Sequence, residues 1–480
     1  MPEMLPLFCL LPTVCCHKGG VTPPLLCLLF TVYCLLILAT PVSSETMGWV
    51  ATYGGANHER AHSIRQTADG GYVVAGYTES FSTIERHGQK DRDIWVLKLR
   101  ADGAVEWQKT YGGDNADEAH SIQQTSDGGY IVAGWTLSFD KRGVCWVLKL
   151  NSVGNVEWQK LYGGDGGERA DSIQQTSDGG YVVAGKTRSF GAGKVDFWVL
   201  KLRPDGTVDW EKTYGGEDWD DARSIQQTRD GGYVVAGSTS SFVTRGEETP
   251  DMWVLKLRSD GVIEWQKTYG GDNWDSVNSI QQTLDGGYII AGETRSFGNE
   301  NGDFWVLKLR TDGTVEWQKT YGGDRGDRAY SVQQATDGGY IVGGDTGSFG
   351  AGGGDFWVLK LRPDGSVEWQ RTYGGTGGED VHSVQQTRDG GYVVAGCTFS
   401  FGAGKGDFWV LKLRADGSID PSCDLVRDTN ISDRDSTAQA RNTRTARESN
   451  ANPKDSSATV RDTNGLANFL CPQAAVEGLR

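Results

Sequence analysis

Along most of this chain apolar and polar positions alternate with a period of two, in short runs that end at glycine or at Asp-Gly. One group of runs reads Glu264-Trp265-Gln266-Lys267-Thr268-Tyr269, Ser279-Ile280-Gln281-Gln282-Thr283, Tyr288-Ile289-Ile290-Ala291-Gly292 and Trp305-Val306-Leu307-Lys308-Leu309. Strict alternation among β-branched and aromatic residues predicts strands, and no segment of the repeated region carries the 3.6 period of a helix. Asp285-Gly286-Gly287 and Asp260-Gly261 stand where tight hairpin turns join successive runs, because glycine supplies the positive φ such turns need.

The group recurs seven times. Its Asp-Gly-Gly-Tyr tyrosine falls at 72, 130, 181, 233, 288, 340 and 392, at intervals of 58, 51, 52, 55, 52 and 52 residues. Four antiparallel strands per unit and seven units predict an all-β, seven-bladed β-propeller. Fourteen of the seventeen tryptophans hold two fixed places, for example Trp253 in the third strand and Trp265 in the fourth, and read as blade packing. The fourth-strand pattern first occurs at Gly48-Trp49-Val50-Ala51-Thr52-Tyr53-Gly54-Gly55, ahead of any complete unit, while the last unit stops after its third strand at Leu413. The N-terminal strand is therefore expected to complete the seventh blade and close the ring, which leaves no open sheet there.

This divides the chain into 1–44, a signal peptide or N-terminal anchor; 45–414, the propeller; and 415–480, a low-complexity tail read as an extended or disordered stalk. The head carries an apolar run, Leu25 to Ala39, followed by the small residues Thr40-Pro41-Val42-Ser43-Ser44. That run is short for a membrane span and suits a secretory leader, so the expected location is secreted or cell-surface, with membrane contact only through an uncleaved head. In the tail, Val426-Arg427-Asp428-Thr429-Asn430 returns as Val460-Arg461-Asp462-Thr463-Asn464. Cys423 and Cys471 bracket it and are the candidate disulfide. Cys145 stands where other copies have a core phenylalanine.

Charge narrows the partners. With 47 basic and 63 acidic residues the net charge is −16, a surface that repels phosphate backbones and argues against nucleic acid. No Cys-x-x-Cys pair outside the head, nucleophile elbow or phosphate loop occurs, so no cofactor is evident and a non-enzymatic role is favoured.

Differences among the seven copies mark where function can sit. The turns containing Asp-Gly barely vary, whereas the loops at the opposite end do, and variable loops on a rigid scaffold are the expected binding face. Each loop between a fourth and a first strand ends in an acid: Glu59, Asp117, Glu168, Asp220, Asp275, Asp327 and Glu379. These are turn carboxylates that satisfy loop amides or, in acidic loops such as that of Asp114, Asp117 and Glu118, ligands for a hard cation such as Ca²⁺. Trp219 and Trp274 break the repeat at equivalent places in two neighbouring blades, flanked by Asp218, Asp220, Asn273 and Asp275. Flat apolar faces beside carboxylates and amides suit a sugar, and an indole capping its own blade is the alternative. His62, His120 and His382 share one slot that elsewhere holds Asp171, Arg223, Asn278 or Tyr330, which favours a generic polar position near the channel mouth over a metal site.

Tandem Trp-Gln-Lys-Thr-Tyr-Gly-Gly, Ser-Ile-Gln-Gln-Thr-x-Asp-Gly-Gly-Tyr and Trp-Val-Leu-Lys-Leu over residues 48–414 resemble the secreted repeat-propeller proteins of bacteria and archaea, some of them labelled endoglucanase-like or lectin-like. The resemblance implies an extracellular or surface propeller and carries no catalytic residue onto this chain. The leading expectation is a monomeric binding or adhesion module that recognises a glycan or protein through its variable loops. A carbohydrate-active hydrolase using loop carboxylates and a purely structural surface component are the alternatives.

Overall fold

The computed structural model describes residues 48–419 apart from 83–84, 87–88 and 244–248, together with short backbone strands within 420–480. The chain divides into two units, Met1–Thr46 and Met47–Arg480. The first, with the expected leader or anchor, lies outside the described residues, as do Cys423 and Cys471. Among the described residues no helix is long and apolar enough to cross a membrane.

Seven blades of four antiparallel strands form the body, a β-propeller as the repeat predicted. Blade 4 is typical, with strands Asp220–Gln227, Tyr233–Thr239, Asp251–Leu257 and Ile263–Tyr269 in order from the centre outward. The seventh blade takes Glu379–Gln386, Tyr392–Thr398 and Asp407–Leu413 from the end of the repeat and Trp49–Gly54 from its beginning. Trp49 pairs with Lys412 and Tyr53 with Phe408, so the ring closes by the strand exchange read from the sequence.

The core lies between blades. Met252 and Val254 of blade 4, for instance, pack with Ile280, Ile290, Trp305 and Leu307 of blade 5. All seven third-strand tryptophans are fully buried, and Cys145 is a buried free thiol in the phenylalanine position. The fourth-strand tryptophans have a different task. Trp210, on the outer strand of blade 3, is half-buried, meets Tyr233 of blade 4 edge-on at 5.8 Å, and donates its indole N–H to Ser259 O in a turn of that same next blade at 3.1 Å. Beside it the Tyr214 hydroxyl donates to Gly261 O at 2.6 Å, and the equivalent tyrosine bond recurs at every blade junction.

Two glycines of blade 4 separate the backbone and packing parts of this lock. Gly231 has φ +82° and open space where a Cβ would stand, whereas Gly261 has φ +75° and its Cβ would lie 2.8 Å from the Trp210 ring. Gly231→Ala is expected to cost only the left-handed backbone term, about 1–2 kcal/mol. Gly261→Ala adds displacement of a packed indole, about 1–3 kcal/mol more. Chemical denaturation of both variants checks this, and equal losses would refute the lock.

Near-invariance at the turn end also has a structural cause. The third-strand lysine is buried in every blade, and each ammonium reaches the Asp-Gly-Gly carboxylate at 2.7–2.9 Å, as Lys98 does Asp69 and Lys360 does Asp337. Burial pushes Asp69 up, but Lys98, Thr67 and the Gly71 amide outweigh it and hold the carboxyl down at about 2.

Within 420–480 seven short strands each pair antiparallel with the outer strand of one blade: Val426–Asp428 on blade 6, then Arg434–Asp435, Arg441–Asn442, Arg447–Glu448, Lys454–Asp455 and Thr459–Asp462 on blades 5 to 1, and Leu466–Phe469 on blade 7. The rest of that segment lies outside the described residues.

Candidate functional site

At the variable end every innermost strand carries a β-bulge. Pairing with the second strand skips one residue, between Ala61 and Ser63 in blade 1 and at the equivalent place in the other six. The skipped residues are His62, His120, Asp171, Arg223, Asn278, Tyr330 and His382, the slot already variable in the sequence. A bulged residue has no cross-strand partner, so it is free of the repeat's pairing constraint and can be re-aimed.

Cross-strand pairs next to the bulge vary in the same way: Arg60 with Tyr77, Glu118 with Trp135, Arg169 with Lys186, Asp221 with Ser238, Ser276 with Glu293, Arg328 with Asp345 and Asp380 with Cys397. Three rings of unlike side chains thus stand on a nearly constant frame. They are knitted by ion pairs, including Arg60–Asp380 at 2.9 Å, Arg92–Glu118 at 2.5 Å, Arg169–Asp171 at 2.7 Å, Arg223–Asp221 at 2.9 Å and Arg328–Glu293 at 2.5 Å.

The three histidines do converge, with His62 5.3 Å from His120 and 5.0 Å from His382 between ring centroids. His62 Nδ1 sits 2.9 Å from Ala119 O and His120 Nδ1 2.8 Å from Ala170 O. Burial, then the neighbouring His120, pushes His62 down to about 3, and burial beside His62 drives His382 well below its ordinary value. These two rings are therefore neutral at pH 7. Among the described residues no group of three or more His, Cys, Asp or Glu is arranged to hold a metal.

A cavity of about 640 Å³ opens in the blade 4–5 sector, where Ser238, Ser276 and Asn278 fill positions occupied in neighbouring blades by Lys186, Arg328 and Tyr330. Short side chains in two adjacent blades leave the gap. Trp219 and Trp274, each 45% exposed, both line it. Asp218 lines it too, 2.7 Å from Lys194, and the Arg188 guanidinium lies 5.1 Å from the Trp219 ring centroid.

Other residues singled out from the sequence go elsewhere. Asp220 and Asp275 are buried: Asp220 accepts from Gly216 N at 2.9 Å and Ser241 Oγ at 2.7 Å, Asp275 from Gly271 N at 2.8 Å and Ser296 Oγ at 2.6 Å. They are the turn carboxylates of their loops and present nothing to a ligand. Asn273 is exposed outside the cavity lining, and its Oδ1 accepts from Trp274 N at 2.8 Å. Asp114, Asp117 and Glu118 do not come together. Asp114 is exposed, Asp117 accepts from Gly113 N and Ser138 Oγ, and Glu118 pairs with Arg92 and His120. Burial lifts Asp117 to about 6 despite its hydroxyl and amide donors, whereas Glu118 is held low by His120 and Arg92 in spite of burial.

Asp221, Glu293, Arg295 and Arg328 were not singled out in the sequence, and Arg223 and Tyr330 only as occupants of a generic polar slot, yet all six line the cavity. Their signal is variation between copies inside the strands, at positions flanked by near-invariant residues; attention to the loops alone passes over it. Elsewhere on the same rings burial, then Asp380, lifts Asp345 to about 7.

A family described as a domain of unknown function (DUF5122) beta-propeller matches residues 176–209 and 387–422. With the seven blades, this makes the chain a tandem-repeat propeller protein. Among solved structures, Sqt1 from Chaetomium thermophilum is similar at 11% identity and TM-score 0.42 over 76% of this chain and 98% of that one. A protein of unknown function from Dyadobacter fermentans is similar at 11% identity and TM-score 0.42, over 77% of this chain and 99% of that one. No curated protein sequence matches the chain.

Proposed function

We propose that this propeller is an extracellular, non-enzymatic binding module that takes a glycan in the cavity between blades 4 and 5. The observation that carries the reading is two half-exposed indoles, Trp219 and Trp274, on a single cavity of about 640 Å³ whose remaining lining, Pro250 and Val277 apart, is polar side chains of both hydrogen-bonding senses. Sugar rings offer apolar C–H faces to aromatics and hydroxyls to donors and acceptors, which is the mixed chemistry present here. The apolar head and the resemblance to secreted repeat propellers support the extracellular location.

Binding is favoured over hydrolysis by the state of the carboxylates. Asp221 is held by Arg223 at 2.9 Å and Lys186 at 3.1 Å, Glu293 by Arg328 at 2.5 Å and Arg295 at 3.1 Å, and Asp218 by Lys194. Every carboxylate of the lining is thus engaged by the protein's own cations, which leaves no unengaged pair to act as acid and base.

Glycan-array binding by the full chain, with Trp219→Ala and Trp274→Ala, tests the proposal. Each variant is expected to lose about five- to tenfold in affinity, since one aromatic contact contributes about 1–1.5 kcal/mol. Both should keep the parent melting temperature, because the indoles lie outside the blade cores. Unchanged binding sinks the tryptophan site. Release of reducing ends from a polysaccharide, abolished by Glu293→Gln, would overturn the non-enzymatic reading.

A further inference from the structure

A second cavity lies along the same channel, past the bulges, and its chemistry differs from that of the glycan cavity. It has a volume of about 220 Å³ and is lined by Arg65, by Gln123, Gln174, Gln226, Gln281, Gln333 and Gln385, and by inner-strand serines with Ile and Val. No carboxylate lines it, in a chain whose net charge is −16.

The glutamines are oriented by the ring. Each uses its Oε1 to accept a backbone N–H from the next blade, at 2.6–2.7 Å, at Gln175, Gln227, Gln282, Gln334, Gln386 and Gln66. With the oxygen engaged, the side-chain donors remain for the channel. Six carboxamide NH₂ groups are thus turned to one small space by the symmetry of the fold.

Blade 1 breaks the ring, with Arg65 in the glutamine slot. The substitution is unfavourable in two ways by itself. A guanidinium has no acceptor, so the seventh bond, from Gln124 N–H, cannot form. It also puts a cation in a confined site where burial works against its charge. Arg65 Nη1 donates to Ile64 O at 2.7 Å and Ser383 Oγ at 3.2 Å, and among the described residues no carboxylate forms an ion pair with it. A guanidinium has five N–H donors, and two neutral oxygens do not use them.

We infer that this part of the channel is an oxyanion site, with Arg65 supplying the charge and the glutamine amides the surrounding donors. Its ligand is a tetrahedral oxyanion, free or carried as a small phosphate or sulfate ester. The planar fork of the guanidinium suits two oxygens of such a group, and amide donors can meet the others. The site is independent of the glycan cavity, with which it shares no lining residue.

Inorganic phosphate and sulfate are the probes, titrated onto the full chain at constant ionic strength against chloride, with binding read by calorimetry and melting temperature. Arg65→Gln is the decisive variant because it restores the residue that six blades already carry, so it is expected to fold. Parent protein should bind phosphate or sulfate with one-to-one stoichiometry, and R65Q should bind at least tenfold more weakly. In chloride R65Q should melt at or above the parent, since it relieves an unpaired cation and restores a ring bond. Both anions stabilise proteins generally by exclusion from their surfaces, so equal shifts in parent and R65Q overturn the inference, as does an absence of saturable binding by the parent. A glucose 6-phosphate arm, compared with glucose and with phosphate, separates an ester ligand from the free ion.

Discussion

A chain lacking residues 48–55 is expected to lose the ring as a whole, not one blade of it. Trp49–Gly54 is the outer strand of blade 7 in the four-stranded body, paired along Asp407–Leu413. Trp49, Val50, Ala51 and Tyr53 are all buried, on two different sides: Val50 packs with Phe356, Trp409 and Leu411, and Trp49, Ala51 and Tyr53 with Trp95, Leu97 and Phe408. Tyr53 also donates to Gly103 O at 2.6 Å and Trp49 to Ala101 O at 3.0 Å, so this strand carries the lock between the last blade and the first. Burial of Trp49, Val50 and Tyr53 contributes about 1.5–3 kcal/mol each. Their sum is comparable with the whole net stability of a typical domain, about 5–15 kcal/mol. Thermal unfolding should therefore show the deleted chain unfolded, or melting far below the parent in one transition. Unchanged melting would refute closure by this strand.

The second large effect is expected at the outer edges. A basic residue or its replacement stands at 427, 434, 441, 447, 454, 461 and 468, at intervals of 7, 7, 6, 7, 7 and 7 residues, with an acid or amide following in all but the last. Each of these dipeptides is in register with the same two positions of a blade's outer strand. Asp428 pairs with Arg371, Asp435 with Lys319, Asn442 with Lys267, Glu448 with Lys212, Asp455 with Lys160 and Asp462 with Lys109. At the seventh edge both sides change together: Phe469 pairs with Ala51. A seven-residue repeat matched to seven blades, with an acid in register with a basic residue at five of them and an amide at a sixth, specifies register. It also covers edge strands that would otherwise be templates for aggregation.

Ending the chain at Ile419 is accordingly expected to leave the ring folded but less stable and aggregation-prone, with faster amide exchange in the outer strands. A charge exchange at one blade isolates the register. Lys319→Asp or Asp435→Lys alone should raise exchange in Val315–Tyr321, because like charges then stand opposite, and the double variant should restore protection. A double variant no better than the singles would refute the pairing.

Much of the architecture was legible because a propeller repeats its interactions locally. Trp305 and Leu307 are buried by the same alternation that identifies their strand, and Asp260-Gly261 makes its turn whatever lies around it. The acids ending each loop could be read as turn carboxylates for the same reason, and Asp220 and Asp275 are such groups. The candidate site was legible only in part. Trp219 and Trp274 stood out by breaking the repeat, and Arg223 and Tyr330 as occupants of a variable slot, but Asp221, Glu293 and Arg328 lie inside strands, where alternation hides them.

The sequence by itself determined the number of blades, the order of strands, the residues between blades and the strand that closes the ring, since each follows from periodicity and chain order. Only the tertiary structure decided which differences between copies meet. Positions such as Trp219 and Trp274, or Ser238 and Glu293, are tens of residues apart and converge through the ring and the bulges that re-aim one residue per inner strand. The same is true of Arg65, unremarkable as one arginine among many, whose neighbours become six glutamine amides and no carboxylate only when the seven inner strands surround a common axis.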